Sequence, residues 1–245
     1  MEIFWEIHSN LPREGPGDPE STARAYAAIT NLPSQPKILD IGCGPGMQTL
    51  DLARLSQGKI IAIDFHQPFL DELIRRAKEA GLNEHIQARK LSMFEMDFAP
   101  EQFDLIWSEG AIYIMGFGKG FKACNLFLKP GGYMAVTEAS WFQPNPPQEV
   151  FDFWKVAYPE MGTIDENIQR LERQGFELVE HFHLPDSSWW DNYFNPLAER
   201  IAMLRKKYAG NAEAQNQLDE EYAEIELFRK YSKYYGYEFY IAQKL

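Results

Sequence analysis

The stretch Ile38 to Gly46, ILDIGCGPG, constrains this chain more than any other. Ile38, Leu39 and Ile41 make the short apolar run of a buried strand, which ends in glycines at three alternate positions, Gly42, Gly44 and Gly46. Glycine admits positive φ and leaves bare backbone for a ligand to approach. The residues that follow (Met47, Leu50, Ala53, Leu55) have the apolar spacing of a helix. A strand, a tight glycine turn and a helix start in succession make a ligand cradle.

A dinucleotide-binding turn spaces its glycines G-x-G-x-x-G, the third lying on the helix. Here that position is Met47, and Asp40 precedes the first glycine, which weakens a nicotinamide reading. Downstream, KIIAID (residues 59 to 64) reads as a second strand ending in Asp64. An acidic side chain there accepts two hydrogen bonds from a ribose diol, a helix-capping aspartate being the plain alternative. FDLIWS (103 to 108) reads as a fourth strand, and LKPGGY (128 to 133) as a tight turn into a fifth, Tyr133 to Thr137.

Over about residues 36 to 141 this succession resembles the class I S-adenosylmethionine-dependent methyltransferases, in particular the ubiquinone-biosynthesis-like and arsenite-type small-molecule group and uncharacterised bacterial members near it. The resemblance implies a Rossmann-like α/β fold: a seven-stranded, mostly parallel sheet with an antiparallel last strand and helices on both faces. It implies S-adenosylmethionine as cofactor and S-adenosylhomocysteine as product. Carried over position by position, the cofactor-binding residues are Asp40, Gly42, Gly44, Gly46, Asp64, Ser92, Met93 and Ser108. Ser92-Met93 departs from the family's usual Asp-small pair after the third strand, replacing a carboxylate with a hydroxyl. The Gly15-Pro16-Gly17 turn resembles a segment of the uncharacterised members and either serves the site or positions the helix after it.

The remaining elements follow from periodicity and caps. The aromatic and turn-rich segment 1 to 17 is expected to fold back on the body. Asp18-Pro19 caps a helix running to Leu32, which the resemblance places over the cofactor. Helices are expected at 67 to 80, 119 to 127, 148 to 158 and 165 to 174, and strands at 86 to 91, 176 to 184 and 237 to 243. The segment 185 to 236 is far longer than a hairpin needs and reads as a helical cap, with helices at 196 to 208 and 212 to 234. Its Trp189, Trp190, Tyr193 and Phe194 are either core between cap and sheet or a stacking surface for substrate. The chain is thus read as one methyltransferase domain, 1 to 245, made of an N-terminal segment with a lid helix (1 to 35), a core (36 to 184), the cap (185 to 236) and a final strand (237 to 245).

A net charge of −12 works against RNA or DNA as substrate, because nucleic-acid affinity comes from clustered cations. No apolar run approaches the ~20 residues of a membrane span, and the N-terminus does not resemble a signal peptide, so a cytoplasmic location without membrane attachment is expected. Cys43 and Cys124 make neither a disulfide framework nor a metal site. The expected acceptor is a small, partly apolar molecule, with a protein, an RNA or a catalytically silent S-adenosylmethionine-binding module as alternatives, and the chain is read as a monomer or homodimer. Glu109 and Tyr113, after the fourth strand, and Glu138 and Trp141, after the fifth, are the pocket candidates. No catalytic base is assigned among them.

Overall fold

The computed structural model describes residues 2–245, the Glu2 side chain excepted. Helix α1 (Glu2–Ile7) is followed by an irregular segment and α2 (Pro19–Ala27). The core then alternates: β1 (Lys37–Ile41), α3 (Met47–Ser56), β2 (Lys59–Asp64), α4 (Gln67–Glu79), β3 (Ile86–Lys90), β4 (Phe103–Ser108), α5 (Phe117–Asn125) and β5 (Leu128–Trp141). After α6 (Gln148–Ala157) come a two-residue strand β6 (Gly162–Thr163), α7 (Ile164–Glu172) and β7 (Phe176–His183). The long insertion supplies α8 (Asp186–Trp189), a π-helical turn (Trp190–Phe194), α9 (Asn195–Lys207) and α10 (Ala212–Tyr231) before β8 (Tyr235–Lys244).

The strands form one sheet in the order β3-β2-β1-β4-β5-β8-β7, parallel except that β8 runs antiparallel to both β5 and β7. This path carries the seven strands expected. The eighth, β6, pairs only with the end of β5. Strand order reverses between β1 and β4, and a crevice opens at the carboxyl ends of strands on either side of such a point. β1 and β4 sit in mid-sheet with both faces covered, which is why they read as nearly continuous apolar runs. Successive β1 residues feed opposite cores: Ile38 packs with Leu52, Leu73 and Trp107, whereas Leu39 and Ile41 pack with Phe117, Phe121 and Tyr240.

Three expectations are corrected. The leading helix stops at Ala27 rather than Leu32, and the short α1, not foreseen as a helix, precedes it. β5 does not end at Thr137. β8 pairs with it residue by residue from Tyr133 opposite Gln243 to Trp141 opposite Tyr235, and this ladder carries the strand through Glu138 and Trp141. Correspondingly β8 starts at Tyr235, two residues earlier than expected.

The insertion folds onto the sheet as a third core. Trp189 is 1% exposed and stacks on Phe228 at 4.2 Å between ring centroids, with Phe194 and Tyr235 at its edges. The aromatic stripe is therefore mostly packing, with Tyr193 the exception described below. Replacing Trp189 with alanine should destabilise the chain by about 3–5 kcal/mol, measured by denaturant unfolding, because it empties a large volume inside a packed aromatic core.

Candidate functional site

The glycine turn is shaped by β2. The Gly42 and Cys43 amides both donate to the Ile63 carbonyl, at 2.9 and 3.0 Å, which bends the chain off β1 and requires φ of +68° at Gly42. A Cβ at Gly42 would run into the Ala111 methyl, so the backbone here lies directly against the loop after β4. One residue beyond Ile63, Asp64 closes the turn. Its Oδ2 accepts from the Gly44 amide at 3.0 Å and its Oδ1 from the His66 amide at 2.9 Å. Burial pushes the Asp64 carboxyl above its usual range, against the pull of these amides.

A cavity of about 570 Å³ lies over this turn. Of the residues singled out from sequence, Gly42, Gly44, Asp64, Ser92, Met93, Glu109 and Tyr113 line it. Asp40, Gly46 and Ser108 stand behind the turn instead. Asp40 is wholly buried and accepts from Thr49 Oγ1 at 2.6 Å, with burial raising its carboxyl to about 7. Gly46 lies against Leu73, and the Ser108 hydroxyl donates to the Ile41 carbonyl at 3.0 Å, tying β4 to β1. Glu138 and Trp141, being inside β5, do not line the cavity: Glu138 is buried and takes a hydrogen bond from the Tyr158 hydroxyl, and Trp141 packs against Phe151 and Tyr235.

Much of the rest of the wall comes from the two ends of the chain, where only the Gly15-Pro16-Gly17 turn and Tyr193 had been singled out. The segment between α1 and α2, not α2 itself, covers the glycine turn, bringing His8, Arg13, Glu14, Gly15 and Pro16 to the cavity. Arg76 on α4 donates to the Pro12 carbonyl at 2.9 Å, and Arg200 on α9 to the Glu6 carbonyl at 2.9 Å and Ser9 Oγ at 2.7 Å. The Gly17 amide donates to the Ser188 carbonyl at 3.1 Å, and Asp18 caps α2 while accepting from Ser188. From the insertion, Tyr193, Glu221 and Glu224 face inward. The π-helical turn carries Tyr193, and Glu221 and Glu224 share a face of α10 three residues apart.

Glu109 joins these parts. Its carboxylate accepts from Arg13 Nη2, from Thr22 Oγ1 at 2.8 Å and from Trp107 Nε1 at 2.9 Å. Three donors on a side chain only 3% exposed commit Glu109 to anchoring the N-terminal segment, which leaves it unsuited to taking a proton from substrate. Arg13→Met should destabilise the fold by about 3–5 kcal/mol, because it strands a buried carboxylate, and should open the N-terminal segment to limited proteolysis. A second test uses Glu138, whose carboxyl is raised by burial from 4.5 to about 8. Between those values the folded chain keeps a proton that the unfolded chain has released, so stability falls as pH rises, by up to about 1.4 kcal/mol per pH unit. Glu138→Gln, which keeps an oxygen for Tyr158, should remove that part of the slope in unfolding titrations.

Residues 38–132 match the family model of a methyltransferase domain. The chain is 26% identical over 212 residues to a sterol 24-C-methyltransferase of Candida albicans, an alignment covering 80% of this chain and 56% of that protein. The chain therefore spans little more than half the length of this relative. A SAM-dependent methyltransferase from Geobacter sulfurreducens, solved with S-adenosyl-L-homocysteine, superposes at a TM-score of 0.83 with 20% identity, covering 100% of this chain and 98% of that one. YjhP from E. coli superposes at 0.85, also with 20% identity, over 100% of both chains. Residues 38–132 of this chain thus match a methyltransferase domain, and the chain as a whole has the fold of solved S-adenosylmethionine-dependent methyltransferases.

Proposed function

We propose that this chain moves the methyl group of S-adenosylmethionine to a small-molecule acceptor, the 245 residues working as one domain. The observation that carries this reading is Asp64. Its carboxylate is fixed by the amide of the glycine turn and opens on the cavity at the point where strand order reverses. The surroundings fit the cofactor part by part. Asp64 suits a ribose diol, and Leu91, Ser92 and Met93 offer apolar walls and one hydroxyl for an adenine ring. Arg13 Nη1, buried and without a hydrogen-bond partner, suits a carboxylate such as that of the methionine end.

When bound, the cofactor supplies a methyl on a sulfonium, already a good leaving group. The work left to the protein is to hold a nucleophilic O, N, S or C atom in line and to exclude water, and no catalytic triad is needed. The pinned N-terminal segment and the insertion perform the exclusion, since together they roof the glycine turn. The net charge of −12 disfavours an RNA acceptor. Among the described residues no helix is long and apolar enough to cross a membrane.

Asp64→Ala tests the reading. Losing a carboxylate acceptor for a diol should weaken S-adenosylhomocysteine binding by about tenfold or more in isothermal titration, with the fold intact by circular dichroism. An unchanged affinity would remove Asp64 from the cofactor site.

A further inference from the structure

The acceptor end of the cavity is more acidic than cofactor binding requires. Glu221 and Glu224 belong to α10 of the insertion, outside the strand-turn-helix core that carries Asp64, and Glu14 comes from the N-terminal segment. Among the described residues Glu224 has no hydrogen-bond or ion-pair partner, Glu221 has only His8 Nε2 at 3.6 Å, and Glu14 Oε1 is buried without a partner. His8 is the one cation set among them. Its Nδ1 lies 2.8 Å from Glu14 and its Nε2 3.6 Å from Glu221, so it offsets one carboxylate of three. Arg13 pairs with Glu109 through Nη2, and its unpaired Nη1 is the donor proposed above for the cofactor's carboxylate.

An independent observation also points to a ligand. Tyr193 is 7% exposed, lines the cavity, and has no hydrogen-bond partner for its hydroxyl among the described residues. With its ring held in the packing and its hydroxyl unpaired, the side chain presents that hydroxyl to whatever enters the cavity. Tyr113 adds a second aromatic wall. Open carboxylates between aromatic faces are the surroundings that stabilise an organic cation.

We infer that the acceptor is an organic amine, bound as its ammonium between Glu221 and Glu224 with Tyr193 and Tyr113 against its carbon substituents. This rests on the methyltransferase reading and narrows it to an acceptor class. An ammonium has no lone pair and must lose a proton before it can act as nucleophile. Glu224 is suited to receive it, the N–H bond breaking as a carboxyl O–H forms, because burial and the Glu221 charge raise its carboxyl to about 7. His8, raised to about 9 by Glu14 and Glu221 against the effect of burial, stays charged meanwhile. Amine binding should therefore weaken as pH falls below about 7 and Glu224 becomes neutral. The other titratable or charged groups on this cavity are Arg13, Glu14, Cys43, Asp64, Glu109, Glu221 and the two tyrosines.

The test is isothermal titration of the full chain, first with S-adenosylhomocysteine and then, on the loaded protein, with primary amines of graded size, each paired with its isosteric alcohol and carboxylate. 2-Phenylethylamine, 2-phenylethanol and 3-phenylpropionate make one such set. The inference expects at least one amine to bind about tenfold or more tighter than its alcohol, with no binding by the carboxylate. It also expects Glu224→Gln and Glu221→Gln to lose about tenfold or more of that affinity while holding S-adenosylhomocysteine as wild type does. If the nucleoside itself fails to bind, the methyltransferase reading fails. If it binds but every amine is matched or beaten by its alcohol, the inference alone is overturned, and the wild-type comparison decides this even if a variant misfolds. Loss of nucleoside affinity in the glutamine variants would also overturn it, by assigning these carboxylates to the cofactor.

Discussion

The arrangement of this site depends on one buried carboxylate. Glu109 follows β4, at the edge where strand order reverses, and gathers an arginine from the N-terminal segment, a threonine from α2 and a tryptophan from its own strand. A carboxylate so deeply buried is tolerable only because donors from three directions compensate its lost hydration. The consequence is architectural: the N-terminal segment is held across the glycine turn and becomes a wall of the cavity. Gly17 belongs to the same device, since a Cβ there would press into the Arg13 guanidinium at 2.5 Å.

The molecule divides into a part that a fold family dictates and a part that it leaves open. Strands β1, β2 and β4 and the glycine turn fix Asp64 against the cavity, and their packing leaves little freedom. The insertion and the N-terminal segment are tied mainly to each other, through Arg200, Ser188 and Asn192, and to the core through Arg13 and Arg76. Chemistry specific to this chain therefore concentrates where those two meet, at His8, Glu14, Tyr193, Glu221 and Glu224.

Most of the core was legible in the sequence because its signals are local. A buried strand, a glycine that must take positive φ and a helix cap each announce themselves within a few residues, and Asp64 follows from its place at a strand end. What escaped depends on distant partners. Nothing in the sequence around Glu138 says that β8 will extend β5 past it, turning a supposed pocket residue into a buried one. Glu109 lines the cavity, but the donors that occupy it come from 87 and 96 positions away as well as from its own strand. Glu221 and Glu224 were invisible as site residues because acidic residues on a helix are ordinarily a solvated face. The only local hint was an inward spacing of three on a helix whose neighbours Leu218, Ile225 and Phe228 are buried.

A crystal structure of the chain grown with S-adenosylhomocysteine tests the central claim most directly. The account predicts the nucleoside in the cavity over Gly42 and Gly44, both ribose hydroxyls on the Asp64 carboxylate, and the thioether sulfur turned toward the end lined by Tyr193 and Glu224. Nucleoside bound anywhere else, or a cavity that stays empty at saturating ligand, would contradict it.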